Sequence, residues 1–371
     1  MNDKPASTDT EQSVPEQSAS VQKGTANKEK PNFEIRSSRQ FVQWLIEQDI
    51  SLGFSTYQSG KVFLIGHNDK RELAIFERSF PRPMGLWSDG QTMLMSSLYQ
   101  IFRSYNTLPE GQLNEGYDRL FVPKLSYITG DLDVHDLQLD AATDQPIFIN
   151  TLFSCLATTS NQHSFKPLWK PKFITQLAPE DRCHLNGLAM KDGKPAFVTA
   201  VSETNVTDGW REHRNDGGIV IDLATDEIVC RGLSMPHSPR WHNGKLWLAN
   251  SGRGEYGYVD FATGKFEPIV FCPGFIRGAT LRGNYAIVGL SKPRHNTFQG
   301  LDLDERLKQE KVSARSGLYV IDLAAGTTPH WIHTEGIVSE LYDVISLPGI
   351  KRPSMIGFQN DQIRRVISIE S

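Results

Sequence analysis

From residue 50 onward, apolar and polar positions alternate in short runs, and one phrase keeps returning. An alternating segment reaches a polar-glycine turn, and a second, more apolar segment follows. Side chains in a strand point to opposite faces with a period of two, so each phrase predicts a hairpin with one buried face. The first halves are LGFSTYQSG (52–60), MGLWSDG (84–90), LNGLAMKDG (185–193), SPRWHNG (238–244) and RGATLRGN (277–284). Their partners are KVFLIG, TMLMSSL, PAFVTAV, KLWLANS and YAIVGLS. VHDLQLDAATDQPIFINTL (134–152) is the same hairpin with a longer turn, and YDVISLPGIKRPSMIGF (342–358) is a last copy. A third, amphipathic strand often follows, as in RELAIFERSF, GGIVIDL, YGYVDF and SGLYVIDL.

Helical periodicity is nearly absent from this stretch. The copies recur at a mean period of about 46 residues, within the range of propeller blades and far from helical repeats. The fold class is therefore all-β: a single β-propeller over 32–371, seven blades preferred. Six blades result if the first and last copies merge into one closing blade. In the seven-blade version, NFEIR (32–36) lends an outer strand to the last blade and closes the ring. Ahead of the blades, residues 1–31 are rich in Ser, Gln, Glu, Lys and Thr and are predicted to be a disordered tail. One short helix is expected at about 37–48. Ser37 and Gln40 have capping-box spacing, and Phe41, Trp44 and Leu45 form its apolar stripe.

Composition changes this picture little. The chain's 371 residues exceed what one core needs, but a repeat architecture grows as one unit. The net charge of −4 is spread out, so no nucleic-acid or membrane partner is expected. There is no apolar run of membrane-spanning length and no secretory leader pattern, which points to a cytoplasmic protein. Cys155, Cys183, Cys230 and Cys272 include no CxxC pair and read as buried, reduced thiols.

Antiparallel pairing puts the start of a blade's first strand and the loop after its second strand on one face. The short QSG, SDG, KDG and HNG turns then share the opposite, plain face. The long polar connections follow second strands: NVTDGWREHRND (205–216), SGRGEY (251–256) and SKPRHNTFQGLDLDERLKQEKVSARS (291–316). Loops of that chemistry on a rigid scaffold are where function concentrates.

The first-strand starts on this busy face carry Arg82, His135 with Asp136, His184 with Asn186, His237 with Arg240, Arg277, and Glu340 with Asp343. His184 lies two residues earlier than the other histidines, an offset that preserves side-chain direction in a strand. Neutral imidazoles of His135, His184 and His237 opposite Glu340 would suit a divalent metal ion. The alternative is that they hydrogen-bond neighbouring blades together. On the same face, Arg82, Arg240, Arg277, Lys292 and Arg294 could line a funnel for a carboxylate, phosphate or sulfate. Against this, Arg240 and Arg277 could pair with Asp136, Glu340 or Asp343 as structural ion pairs. Asn186, Asn250, Ser291, Asp343 and Trp210 complete the candidate ligand-binding set. Trp210, Arg211 and His213 could cap a ligand or pack on a neighbouring blade. LDLDERLKQEKV, within 293–316, reads as a helix that could serve as a lid. That insertion and the N-terminal tail are the candidate protein-contact elements.

Several phrases are similar to a bacterial family of conserved hypothetical proteins known as a domain of unknown function. They are SLGFSTYQSGKVFLIG, TGDLDVHDLQLD, NTLFSCLAT, CHLNGLAM, MPHSPRWHNGKLWLANSGRGE, PGFIRGATLRGNYAIVGLSKPR and ELYDVISLPG. This resemblance spans roughly residues 33–350 and implies the fold, not the chemistry. More loosely, LNGLAMKDGKPAFVT (185–199) resembles gluconolactonase-like and strictosidine-synthase-like propellers, in which an axial Asn and acidic residues hold a divalent cation. Asn186 takes the matching position, but those acidic ligands have no counterpart here. The expected function is work on a small polar or anionic molecule at the axial channel mouth. It could be a metal-dependent lyase, hydrolase or oxidoreductase. The alternatives are a non-catalytic binding module and a protein-interaction scaffold.

Overall fold

Six antiparallel sheets follow one another around a common axis in a computed structural model that describes residues 33–292 and 300–369. The predicted tail and Arg294 lie outside the described residues. The inner strands of the six blades are Val344–Pro348, Pro83–Ser88, Val134–Asp140, Leu185–Lys191, Pro236–His242 and Phe275–Arg282. Blades 2 to 6 each run outward in chain order from their inner strand.

The preferred count of seven blades is corrected to six. Val344–Pro348 pairs antiparallel with Ile50–Thr56, from Ile50 opposite Pro348 to Phe54 opposite Val344. The first and last sequence copies are thus parts of one closing blade. LGFSTYQSG supplies that blade's second strand, not its first, which reverses the direction assigned to it. Its QSG turn therefore sits on the busy face, where the Gln58 backbone N–H donates to Glu340 Oε1 at 2.9 Å.

NFEIR does reach the last blade: Phe33–Ser37 forms a fifth, outermost strand on Thr327–Gly336. It adds an edge and does not close the ring. On the other side, Pro353–Met355 pairs in parallel with Arg119–Ile128 at the rim of blade 2.

The helix spans Phe41–Gln48 and lacks a side-chain cap; Ser37 belongs to the preceding strand, so the capping box does not form. Its apolar stripe behaves as the pattern requires. Phe41, Trp44 and Leu45 are buried in a cluster with Leu52, Phe54, Phe63 and Ile332, filling the seam between blades 6 and 1. Each such side chain contributes about 1.5–3 kcal/mol by leaving water.

A hydroxyl clasp recurs at the blade seams. At the end of a second strand, Ser or Thr donates to a carbonyl at the start of the next blade's inner strand. The pairs are Ser55 to Met84, Ser96 to Val134, Thr151 to Leu185, Ser251 to Ile276 and Ser291 to Leu341. Such buried bonds satisfy carbonyls that no ladder reaches. The seam between blades 4 and 5 has Val201 at this point and closes by packing Gly187 against the Pro239 ring, with Arg240 donating to the Leu188 carbonyl. There a Cβ on Gly187 would lie 2.3 Å from Pro239 Cδ.

Candidate functional site

Three consecutive blades bring a histidine to the axial mouth. Blades 2 to 5 each begin their inner strand after a non-glycine residue with positive φ: Arg82, Asp133, His184 and Met235. That backbone region is costly for residues with a Cβ, and such strain concentrates at functional sites. It turns the chain sharply into the strand and aims the following side chains at the axis. His184 occupies the turn itself, whereas His135 and His237 lie two residues beyond it. This accounts for the offset seen in the sequence.

All three imidazoles are buried, and each is held at Nδ1. His135 Nδ1 lies 2.9 Å from the Asp133 carbonyl and 2.8 Å from Thr151 Oγ1. The Thr151 hydroxyl already donates to Leu185, so it accepts from His135. His184 Nδ1 is 2.9 Å from Asp181 Oδ2, and His237 Nδ1 is 2.9 Å from the Met235 carbonyl. Every partner is an acceptor, so Nδ1 carries a proton in each ring. His135 and His184 meet edge to face with centroids 4.8 Å apart. Burial, with the neighbouring His184 and Arg277, drives His135 down to about 4 and outweighs the pull of Asp133. His237 lies well below its usual value, through burial and then Arg277. Both are neutral at physiological pH.

Around this trio stand an indole, a phenol and a guanidinium. Trp210 stacks on His184 at 4.2 Å, and its Nε1 donates to Asp181 Oδ2 at 2.9 Å. Asp181 therefore orients both rings. Tyr342 lies 5.5 Å from His135, with the Arg277 guanidinium 4.8 Å over its ring. Burial raises the Tyr342 hydroxyl well above its usual value, so it stays protonated. Tyr342 Oη and His237 Nε2 are buried without a hydrogen-bond partner among the described residues. A buried donor and a buried acceptor left unmet ask for a complementary molecule.

The imidazole donors are chemically suited to a divalent metal. Yet among the described residues no group of three or more His, Cys, Asp or Glu side chains is arranged to hold one. Glu340 instead receives the Gln58 N–H.

The remaining candidates separate. Arg240 does not line an anion funnel. It is anchored to Asp136 at 2.7 Å, lies 3.7 Å from Asp343, and donates to the Ala279 and Leu188 carbonyls. Asn250 bonds the Ser234 N–H and Glu255, and Ser291 is a seam clasp. Asn186 accepts from Thr199, while its buried Nδ2 has no partner among the described residues. Lys292 is exposed, and its charge is felt by His333 in the outer part of blade 6. Arg211 packs over the outer face of Trp210. Helix Asp302–Gln309 forms as predicted and buries Leu303 and Leu307 beside Trp210 and Phe275, roofing one side of the mouth.

A family model described as "Domain of unknown function (DUF4915)" matches residues 39–356. The chain belongs to the DUF4915 family. No curated protein matches it. A chain of a nidogen/laminin complex is similar at 12% identity and TM-score 0.53, covering 81% of this chain and 99% of that one. A catalytically inactive variant of virginiamycin B lyase from Staphylococcus aureus, solved with quinupristin, gives 10% identity and TM-score 0.39. That match covers 82% and 100% of the two chains. At 12% identity the nidogen/laminin match supports the fold of the DUF4915 chain alone. No helix among its described residues is long and apolar enough to cross a membrane.

Sequence reasoning missed several site residues of this DUF4915 chain: Asp133, Asp181, Thr151 and Tyr342. Asp133 and Asp181 precede the strands in turns, and nothing in their local pattern reveals the positive φ that aims them. Tyr342 was legible as the residue before Asp343, but its phase became readable only once Val344–Pro348 was seen to be an inner strand. Cys183, beside His184, is buried with its thiol pushed up to about 12, and so is inert.

Proposed function

We propose that the axial mouth binds a small anionic molecule and moves a proton from it. The observation carrying this reading is the group of three buried imidazoles, each held at Nδ1 by an acceptor, beside Arg277 and a protonated Tyr342. A guanidinium supplies the charge for a carboxylate, phosphate or sulfate. An unpartnered Nε2 at His237 accepts a hydrogen from the ligand, and the Tyr342 hydroxyl meets the negative charge left behind. Asp181 acts as a positioning residue, fixing the tautomer of His184 much as a carboxylate orients a catalytic imidazole.

An arriving anion favours imidazolium, so binding should raise the histidine pKa values and draw protons from the buffer. Titrating the protein with carboxylate, phosphate and sulfate probes in buffers of different ionisation enthalpy tests this directly. The expected result is proton uptake at pH 6 and a melting-temperature increase that Arg277→Gln removes. Absence of any Arg277-dependent response across all three anion classes would sink the reading. Elemental analysis of tag-free protein is the companion measurement: a stoichiometric divalent metal would replace proton transfer with metal chemistry.

A further inference from the structure

Charge at the axial mouth is divided between two sides. Arg277 belongs to blade 6, where its guanidinium lies 4.8 Å over the Tyr342 ring and 5.7 Å from the centre of Phe275. Asp133 stands just ahead of the inner strand of blade 3. Three blades separate them in a ring of six, which puts them on opposite sides of the axis.

Other charged groups near the mouth are engaged within the protein. Arg82 pairs with Asp131. Asp181 holds His184 and Trp210, Glu340 receives the Gln58 N–H, and Asp136 and Asp343 share Arg240. Asp133 differs from these. Its backbone carbonyl holds His135, but among the described residues no donor reaches its carboxylate oxygens. The nearest basic nitrogen is His135 Nδ1 at 3.6 Å, on a ring that is neutral at physiological pH. Burial raises the Asp133 carboxyl, yet His135, His184, Arg82 and Arg277 hold it below its usual range, so it is ionised. Its side chain is 35% exposed and so within reach of an arriving molecule.

This division of charge narrows the ligand class. A plain anion drawn to Arg277 meets a like charge at Asp133, and a plain cation drawn to Asp133 meets Arg277. A molecule that carries both signs satisfies both. Two buried polar atoms without a partner among the described residues, Tyr342 Oη and His237 Nε2, belong to the same cluster. Tyr342 feels the charges of Arg277 and Asp133, and His237 that of Arg277.

We propose that the mouth takes a small zwitterion, with Arg277 holding its anionic end and Asp133 its ammonium group. The inference rests on the anion reading of this site and adds a cationic end to the ligand.

The test titrates the full chain by calorimetry with probes matched in all but an amine. The pairs are L-alanine and β-alanine against propionate, phosphoethanolamine against ethyl phosphate, and taurine against ethanesulfonate. At least one amino compound should bind about tenfold more tightly than its amine-free partner, the scale of one hydrogen bond to a charged group. Asp133→Asn should weaken that amino compound about tenfold and, by removing a like charge, tighten its partner. Asparagine suits the left-handed backbone at residue 133, where φ is 52°. The wild-type comparison needs no variant, so the proposal can be overturned even if Asp133→Asn does not fold. Binding of the amine-free anions that Arg277→Gln removes, with no preference for the amine, would overturn the zwitterion and leave the anion reading standing. An amine preference that survives in folded Asp133→Asn would also overturn it. No Arg277-dependent binding of any probe would overturn both.

Discussion

An imidazole pinned at Nδ1 has one nitrogen left to offer, and at positions 135, 184 and 237 that nitrogen is Nε2. Keeping such rings neutral in a buried setting has a thermodynamic signature. His135 titrates near 4 in the folded protein and near 6.5 when unfolded, and His237 also lies well below 6.5. Between those values the unfolded chain binds more protons, so stability rises with pH through this window and is lost as pH falls from 6.5 towards 4. Asp343 works the other way. Burial and the nearby Asp136 raise it to about 7 against the pull of Arg240, so its folded form holds the extra proton and stability falls as pH rises from 4 to 7. Asp343→Asn should therefore steepen the acid-side loss, and His237→Gln should flatten it, in denaturant midpoints measured from pH 4 to 7. An unchanged slope in both variants would mean that these groups do not hold the protons assigned to them. The histidine positions were legible from sequence because each stands at the entry to an inner strand, although strand phase holds only for His135 and His237, His184 lying in the turn itself. Their tautomers were not, since the acceptors Asp133, Asp181 and Met235 lie in turns whose left-handed backbone carries no residue signature.

Among the elements, hairpins were readable because alternation is local, and nearly every predicted strand is present. What failed was the assignment of neighbours. LGFSTYQSG reads identically as a first or a second strand, because a period of two says nothing about which edge is paired. The seam clasps went unnoticed for a related reason. A lone Ser or Thr at a strand end looks like any turn residue until the next blade's carbonyl is placed beside it. Thr151 links the two levels by donating to Leu185 and accepting from His135. Thr151→Val should cost about 1–3 kcal/mol in equilibrium unfolding, leaving a buried carbonyl without its donor. Ser96→Ala, which disturbs a clasp of 3.3 Å away from the histidines, should cost about 1 kcal/mol and leave anion binding intact. Equal losses of anion response in both variants would argue against a specific role for Thr151.

At the level of the whole molecule, the architecture was legible and the blade count was not. Counting phrases gives seven, whereas the ring merges two of them across nearly three hundred residues of intervening chain. No local pattern encodes such a long-range pairing. The two outer attachments should differ sharply in importance. Deleting Phe33–Ser37 removes an edge strand and should leave a closed, cooperatively unfolding ring of lower stability. Stopping the chain after Asp343 removes the inner strand of blade 1 and should abolish the sharp thermal transition altogether. Calorimetry on the two truncations would decide between these expectations, and a cooperative transition in the second would show that the ring does not depend on that strand.

The closing blade also sets an order of events in the cell. While the chain is being made, Ile50–Thr56 leaves the ribosome early, but its inner partner Val344–Pro348 is translated only after five other blades have emerged. Throughout that interval Ile50–Thr56 is an unpaired apolar edge, the kind of surface that invites aggregation and chaperone capture. Tyr342 and Asp343 arrive with the same late segment, so a nascent chain carries its histidines long before it has a site.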